Sequence, residues 1–516
     1  YDRVLKEGLE AYKRDITARL ALAADGQETA FLRSLDNVVE ALRVWHARYL
    51  DAVREEKPAV YRALQRVPFA PARNFLEAVQ ALWFIFAFVR LCGNWPGIGR
   101  IDWLLGDYLQ KDLAAGVLTK PEAREILASF FIKGCEWIQS QPRPGSGDAQ
   151  HYQNIVLAGI DAAGREVTND VTYLVLDIVE ELAIADFPIT VRLNSRSPER
   201  LLRKTAQVMR HGGGIVAVYN EDLILRALKN EGYPESEARS FANDGCWETL
   251  IPGKTNFGFE YVNILQILEH ALHHGRSLVR QKQEAEDLGD PCACPDFDTF
   301  YSTFFLPLIQ KRMEFVLKTK LRYRADRYKI APSPLLSAIM DGCIESGRDL
   351  SNDGARYNIY PLMLTGVANC IDSLVVLKEL VYEQKLITMD DVVKATACNY
   401  VGYEAMQQLV KNRAPKFGND DDRADEMAVR VLGDCAKVLD EVKAHMDVED
   451  LLTGLGVATF ETYMSIGYNM GASPDGRGLH ESISSNLSPA LGVDKNGPTA
   501  VIKSITKPDL IKYFNG

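Results

Sequence analysis

The sequence predicts an α/β protein on three observations. Apolar residues recur at helical spacing through most of the first 140 residues, which predicts a helical layer there. Short apolar runs with the length of strands follow at 154–160, 187–193 and 215–219. Helical segments are predicted beside these runs, over 198–210 and 234–242. Such alternation is typical of an open sheet or of a closed barrel, and the pattern alone does not choose between them.

Two local signals strengthen the helical assignment of the first 140 residues. An apolar stretch at 75–89 follows a proline-rich loop, and Thr119, Pro121 and Glu122 have the spacing of a capping box. In a capping box the two side chains accept hydrogen bonds from backbone N–H groups that the first helical turn leaves free. We therefore expect a helix that begins at about residue 120.

The composition is that of an ordinary globular protein, with 47% hydrophobic and 25% charged residues among 516. The 59 Lys and Arg residues against 70 Asp and Glu give a net charge of −11. No basic run offers charge to a phosphate backbone, so nucleic acid is not a predicted partner. The apolar run at 81–89 is far shorter than the roughly 20 residues that cross a bilayer. No membrane association is predicted.

The nine cysteines lie at irregular positions along the chain. In a sequence of this length such spacing does not indicate a disulfide framework. The chain opens on Tyr1 and a charged helical pattern, which is unlike a secretory signal. A cytoplasmic location is the prediction.

One segment carries a thiol and a carboxylate two residues apart. Cys246 and Glu248 lie in the sequence NDGCWE at 243–248, between a predicted helix and the loop at 251–255. A tight turn at this point can project both groups to the same side. Because a cysteine near a glutamate is common by chance, the interpretation depends on the rest of the chain.

Several motifs in this order resemble the glycyl radical enzyme superfamily, which includes pyruvate formate-lyase. They are GRID at 99–102, NIVLAG at 154–159, GCWE at 245–248, GARYN at 354–358, PDGR at 474–477 and DKNGPTA at 494–500. The resemblance covers nearly the whole chain. It implies a ten-stranded α/β barrel made of two five-stranded halves, with a helical outer layer and the cysteine loop in its centre. Residues 1–516 are then one catalytic domain, with 1–140 mainly helical and 141–516 completing the barrel.

The resemblance also implies roles for the two residues of the loop. Cys246 corresponds to the cysteine whose thiyl radical abstracts a hydrogen atom from the substrate. Glu248 corresponds to the carboxylate that accepts a proton from the substrate radical, a role that suits a desolvated group. A closed cavity protects such radicals from water and stray hydrogen donors. The alternative for Glu248 is a buried ion-pair partner.

Further positions are expected to bind the substrate. Glu260 lies fourteen residues after Cys246, where dehydratases of the family carry an aspartate that assists the leaving group. Asn94 and Trp95 occupy the place where polyol dehydratases carry a histidine and a serine that hold hydroxyl groups. This difference predicts a substrate other than glycerol or propanediol.

Trp247 lies beside the cysteine, where pyruvate formate-lyase itself has a second cysteine. Without a second thiol the acyl transfer of that enzyme cannot be drawn on these residues, so elimination is the leading reaction and decarboxylation remains open. Arg100 and Arg192 are weaker candidates for binding an anionic group. No metal site is predicted, because neither the histidines at 270, 273 and 274 nor Cys292 and Cys294 match a zinc pattern. We expect those histidines on a helix surface.

The glycine loop that carries the radical in this superfamily has no counterpart after Cys246. The resemblance implies a glycyl radical installed by a radical S-adenosylmethionine activating enzyme, with no cofactor bound to the chain itself. We expect a fragment truncated at both ends, or a split enzyme whose small second subunit carries the loop, and a homodimer. The alternative from another class is a catalytically silent scaffold.

Overall fold

The structure is a computed structural model that describes residues 1–91, 97–135, 153–184, 187–212, 215–244, 248–446 and 452–515. Contacts within the chain divide it into two compact units. Unit 1 comprises the described residues of Tyr1–Gln141, Ala149–Phe257 and Arg322–Ile359. The described part of unit 2 lies in Gly258–Leu321 and Tyr360–Gly516.

Helices dominate the first part of the chain, and strands enter after about residue 150. In chain order the elements are α1 (Asp2–Glu7), α2 (Leu9–Leu20), α3 (Gly26–Val53), α4 (Pro58–Leu64), α5 (Phe75–Leu91), β1 (Gly99–Arg100), α6 (Ile101–Ala114), α7 (Lys120–Gly134), β2 (Ile155–Ala158), α8 (Asp170–Leu182), β3 (Ile189–Leu193), α9 (Glu199–Met209), β4 (Val216–Asn220), α10 (Glu221–Asn230), α11 (Glu235–Ala238), β5 (Ala242–Asp244), β6 (Glu248–Leu250) and β7 (Thr255–Phe257).

The remaining elements alternate in the same way. They are β8 (Glu260–Asn263), α12 (Ile264–Leu272), α13 (Phe297–Phe300), α14 (Leu306–Ile330), α15 (Pro334–Ser337), α16 (Cys343–Ser346), β9 (Tyr357–Ile359), β10 (Leu362–Thr365), α17 (Val367–Val376), α18 (Met389–Ala397), α19 (Glu404–Arg413), α20 (Asp422–His445), β11 (Leu455–Val457), α21 (Tyr463–Tyr468) and α22 (Gly497–Thr506).

Unit 1 is built on a parallel sheet in the order β1-β2-β3-β4. Every residue of β2 is buried, and β3 is buried except at its last residue. Strands that are apolar along their whole length are typical of parallel sheets with both faces covered. Helices α5 to α8 contribute buried apolar side chains to the same core, in which Phe187 contacts Phe131 with ring centroids 5.0 Å apart.

Two small ladders complete the strands of unit 1. Strands β5 and β6 form an antiparallel hairpin in which Ala242 is opposite Leu250 and Asp244 is opposite Glu248. Strands β7 and β9 are parallel, with Thr255 opposite Tyr357. The hairpin therefore lies between α11 and β7 in the chain, and residues 245–247 join its two strands.

Unit 2 has its own parallel sheet in the order β11-β10-β8. The central strand β10 is fully buried. Helices α12 and α17 follow β8 and β10 directly, and both supply apolar side chains to one core with α14 and α20. Asn263 caps α12 by accepting a hydrogen bond from the backbone N–H of Gln266.

The structure confirms the α/β class and most of the predicted elements. The three predicted strands are β2, β3 and β4, and the capping box of Thr119 and Glu122 is present at α7. The helix predicted over 234–242 is wrong at its end, because α11 stops at Ala238 and the chain becomes strand at Ala242. Among the described residues the largest sheet has four strands in unit 1 and three in unit 2, so five strands in each half of a barrel stays a prediction. One domain over 1–516 also stays a prediction.

Across the described ranges, every helix falls short of the length and apolar character that a bilayer crossing requires.

Candidate active site

The hairpin formed by β5 and β6, residues 242–250, carries the predicted catalytic segment, and we call it the cysteine hairpin. Cys246 and Trp247 lie in the connection at 245–247, outside the described residues. Glu248 is the first residue of β6 and is 2% exposed. The strand therefore holds a buried carboxylate two residues beyond the predicted relay thiol. A buried carboxylate near a reacting carbon is placed to accept a proton.

Two arginines hold the chain where it approaches the cysteine hairpin. Arg192 of β3 donates through Nη1 to the carbonyl oxygen of Phe241 at 2.8 Å and through Nη2 to that of Arg239 at 2.8 Å. Its guanidinium also lies over the Phe241 ring, 3.9 Å from the centroid. Arg100, at the end of β1, donates to the same Arg239 carbonyl at 3.3 Å. These bonds capture carbonyl groups that a continuing helix would use, which explains why α11 ends early.

Arg192 is itself fixed by a buried ion pair with Glu221, the first residue of α10. Both side chains are 0% exposed. Glu221 also accepts hydrogen bonds from the Ile160 backbone N–H at 3.0 Å and from Asn194 Nδ2 at 2.5 Å. Burial, and next the charge of Arg100, lower the pKa of the Arg192 guanidinium below its ordinary value. A buried ion pair is tolerated when further hydrogen bonds satisfy both partners, and here they do so for the carboxylate.

The GRID and NIVLAG motifs meet at the backbone of one residue, Ala158. Arg100 Nη2 donates to the Ala158 carbonyl oxygen at 2.9 Å, and the Ala158 N–H donates to Asp102 Oδ2 at 2.6 Å. Thr172 donates to the same Asp102 oxygen at 2.7 Å. Burial raises the pKa of Asp102, against the lowering effect of the Ala158 hydrogen bond. The two motifs thus build a polar centre at the carboxyl ends of the parallel strands, where α/β proteins place their sites.

Gly159 follows Ala158 and lies against the Arg192–Glu221 ion pair, and its position requires glycine for two reasons. Its φ is +72°, a left-handed conformation that side chains disfavour. A Cβ atom would also lie 2.5 Å from Glu221 Oε1 and 2.6 Å from Arg192 Nε. The last residue of the NIVLAG motif is therefore explained by the space that the ion pair occupies.

The chain on the other side of the cysteine hairpin is held by Glu237 of α11. Its carboxylate accepts from Tyr357 Oη at 2.5 Å and pairs with Lys254 Nζ at 3.1 Å and Arg356 Nη2 at 3.0 Å. Burial opposes the shift, but the hydrogen bonds from Tyr357 and Lys254 lower the pKa of Glu237 below its ordinary value. The GARYN motif at 354–358 thus supplies two of the three partners, and Lys254 comes directly before β7.

The predicted substrate-binding residues fall into three groups. Asn94 and Trp95, like Trp247, lie outside the described residues. Arg100 and Arg192 are brought together by their shared acceptor, the Arg239 carbonyl, and the Nη atoms of both donate to protein oxygens. In these contacts the two arginines bind backbone carbonyl oxygens of the protein. Binding of an anionic group by either arginine stays a prediction.

Glu260 begins β8 in unit 2 and is half exposed. Its carboxylate pairs with Lys320 Nζ at 2.8 Å, and Lys320 also donates to the Phe259 carbonyl oxygen at 3.4 Å. This pair neutralises the carboxylate at the amino end of the strand. Assistance to a leaving group stays a prediction for Glu260.

Two of the three histidines that were expected on a helix surface are buried, whereas the third, His274, is exposed. His270 and His273 are each 8% exposed rather than on a helix surface, and burial lowers the pKa of His273 to about 4. The reason is that α12 packs between sheet and helices on nearly all sides, since seven of its other residues are buried. Within the described ranges, histidine, cysteine and carboxylate side chains form no group of three or more that could hold a metal ion.

Sequence reasoning missed Glu221, Glu237 and Arg239, which fix the cysteine hairpin. One signal was available for Glu221: Arg192 is a lone charge in an apolar strand, and a buried charge requires a partner. Glu221 directly follows β4, the neighbour of β3, so both groups come at the same edge of the sheet. Nothing in the local pattern marks the Arg239 carbonyl.

Comparisons with known proteins identify the family of this chain. Residues 1–467 match the family described as pyruvate formate lyase-like. The chain is 30% identical to trans-4-hydroxy-L-proline dehydratase of Clostridioides difficile, over 99% of this chain and 68% of that protein. It is 29% identical to isethionate sulfite-lyase of Nitratidesulfovibrio vulgaris, over 98% of this chain and 64% of that protein. The chain thus spans about two thirds of the length of these relatives.

A solved structure gives the same result for the fold. A glycyl radical enzyme from Archaeoglobus fulgidus aligns with a TM-score of 0.90 and 26% identity, covering 99% of this chain and 68% of that one. The family match covers residues 1–467, a range that includes the cysteine hairpin. The chain therefore belongs to the pyruvate formate lyase-like family of glycyl radical enzymes.

Proposed function

We propose that this chain is the catalytic part of a glycyl radical lyase that cleaves a small organic substrate by elimination, with Cys246 as the hydrogen-atom relay and Glu248 as the proton acceptor. The cysteine hairpin is the observation that supports this most directly. It holds Glu248 buried, two residues from Cys246, on strands anchored by Arg192 and Glu237. The relatives named above, a dehydratase and a sulfite-lyase, support the elimination class.

In the proposed reaction the Cys246 sulfur, as a thiyl radical, takes a hydrogen atom from a substrate carbon and forms an S–H bond. Glu248 accepts a proton from the resulting substrate radical. The neighbouring bond then breaks, and the leaving group departs with the electron pair. The product radical takes a hydrogen atom back from the Cys246 thiol. The substrate has thus lost a proton and an anionic leaving group, and Cys246 is again a thiyl radical.

The glycyl radical supplies the oxidising equivalent that converts the Cys246 thiol to a thiyl. We propose that a radical S-adenosylmethionine activating enzyme installs it on a glycine outside these 516 residues. The described residues fit this chemistry in that a buried carboxylate accompanies the thiol segment. A homodimer and a separate subunit carrying the glycine loop belong to the same proposal.

Anaerobic electron paramagnetic resonance on the full-length gene product, or on this chain with its glycine-loop subunit, tests the proposal after treatment with the activating enzyme and S-adenosylmethionine. We expect a glycine-centred doublet, together with turnover of a substrate drawn from a panel of hydroxylated and sulfonated small molecules. If no radical signal appears with an activating enzyme that is known to be active, the catalytically silent scaffold is favoured instead.

Three substitutions and one control separate the roles of the residues. Cys246→Ser should abolish turnover and keep the glycyl radical doublet. Cys398 is an exposed cysteine of unit 2, and Cys398→Ser should change neither turnover nor the doublet. Glu248→Gln keeps the shape of the side chain and should lower turnover by about 10²- to 10⁴-fold, the usual contribution of a general base. Glu260→Gln with unchanged turnover would remove Glu260 from the mechanism.

A further inference from the structure

The cysteine hairpin is too short to hold its own position. Its ladder has three residue pairs, from Ala242 opposite Leu250 to Asp244 opposite Glu248. An isolated two-stranded hairpin is at best marginally stable in water, even with longer strands. The direction in which the hairpin leaves the sheet must therefore be set by contacts at its ends.

Arg192 makes the contacts that set this direction on the amino-terminal side. It binds the carbonyl oxygens of Arg239 and Phe241, which are two residues apart, and its guanidinium plane covers the Phe241 ring. Phe241 directly precedes β5, so the anchored residue and the first hairpin residue are adjacent. A planar guanidinium with several fixed donors holds such a pair of acceptors better than a point charge does.

The guanidinium has one orientation because its own surroundings are fixed. Glu221 pairs with Arg192 and is held by Ile160 N–H and Asn194, while the glycine at 159 leaves the space that the pair fills. All of these residues belong to unit 1, and they connect three strand ends to the chain that enters the hairpin. A shift of the guanidinium would move the Phe241 carbonyl and the first residue of β5 with it.

We propose that Arg192, oriented by Glu221, is the positioning residue of the cysteine hairpin, and that it sets where the Glu248 carboxylate meets the substrate. This inference rests on the proposed function. A misplacement of about 1 Å at a reacting group can lower a rate by about 10²-fold, so a residue that never contacts substrate can control turnover.

Arg192→Lys tests the inference, because lysine keeps the positive charge and loses the planar pair of donors. Backbone hydrogen exchange is measured by mass spectrometry on the full-length protein. We expect exchange at residues 242–244 and 248–250 to rise at least about tenfold while that of α8 stays unchanged, which is the signature of local rather than global opening. In the activated enzyme the doublet and KM should be unchanged and kcat should fall at least about tenfold.

Arg324→Lys is the matched control. Arg324 also belongs to unit 1, and its side chain is 16% exposed in an ion pair with Asp353. We expect this substitution to leave exchange in the cysteine hairpin unchanged. If Arg192→Lys does not fold, Phe241→Leu replaces it, because leucine removes the ring under the guanidinium and keeps the backbone acceptor.

The outcomes are separable. Unchanged exchange in the cysteine hairpin of the folded Arg192 variant, or of Phe241→Leu, overturns the inference, and so does an equal rise in the hairpin and in α8. A selective rise in hairpin exchange in a protein that shows neither a radical nor turnover supports the positioning role and contradicts the proposed function. A selective rise with kcat unchanged limits Arg192 to the fold and overturns its control of turnover.

Discussion

Replacing Gly159 with alanine measures how strongly the fold depends on the ion pair beneath the cysteine hairpin. A non-glycine residue at a φ of +72° costs about 1–2 kcal/mol. The added Cβ would lie 2.5 Å from Glu221 Oε1 and 2.6 Å from Arg192 Nε, so the pair must separate. Breaking a buried pair costs about 3–5 kcal/mol. We therefore expect the free energy of unfolding to fall by about 4 kcal/mol or more, a large part of the 5–15 kcal/mol typical of a domain.

Gly116→Ala is the control for the backbone cost. Gly116 also belongs to unit 1 and has a φ of +65°, but a Cβ there would meet no described atom within 4 Å. It should lose only about 1–2 kcal/mol. Urea unfolding, monitored by tryptophan fluorescence, gives the free energy of unfolding of both variants. The comparison requires that the slope of this free energy against urea concentration is the same for both. Equal losses would show that the pair does not depend on the space at Gly159 and would refute the reasoning.

Three further predictions concern stability elsewhere in the chain. Burial lowers the pKa of His273 from 6.5 to about 4 in the folded state, so the unfolded state binds more protons between these two pH values. The free energy of unfolding therefore falls by up to about 3 kcal/mol as the pH drops through that window. His273→Gln should flatten the pH profile of urea unfolding, whereas replacing the exposed His445 with glutamine should not. Phe187→Ala removes a fully buried ring and should lower the free energy of unfolding by about 3–5 kcal/mol in the same assay. Replacing the exposed Phe315 with alanine should lower it by less than about 0.5 kcal/mol. Similar losses for the two variants would contradict the assignment of Phe187 to the core. Thr119→Ala removes one half of the capping box and should lower the free energy of unfolding by about 1 kcal/mol, with no loss expected if the box contributes nothing.

Much of the fold could be read from local patterns. The strands β2, β3 and β4 are short apolar runs, and continuous apolar character is what burial on both faces of a parallel sheet produces. The start of α7 at Lys120 follows from Thr119 and Glu122, because capping depends on residues three positions apart. The helix predicted up to residue 242 was too long, since the side chain that ends it, Arg192, comes from a distant strand.

The candidate site divides along the same line. The order of the motifs in the sequence indicated the family, and the resemblance predicted Cys246 and Glu248 as site residues. The structure adds that Glu248 is buried on a short hairpin. The roles of Arg100 and Arg192 could not be inferred in the same way. Their acceptors are backbone carbonyls at Ala158, Arg239 and Phe241, and a backbone carbonyl has no signature in the sequence.

By itself the sequence determined the α/β class, which follows from local periodicity, and the family, which follows from short motifs in a fixed order along the chain. It also identified Cys246 and Glu248 as a candidate pair through that resemblance. Only the tertiary structure decided how the cysteine hairpin is held. The pairing of Arg192 with Glu221 depends on the register of β3 against β4 and on the turn into α10, and the space for that pair depends on the left-handed conformation of Gly159. Contacts between strand ends join residues far apart in the chain, so their geometry is decided when the sheet forms.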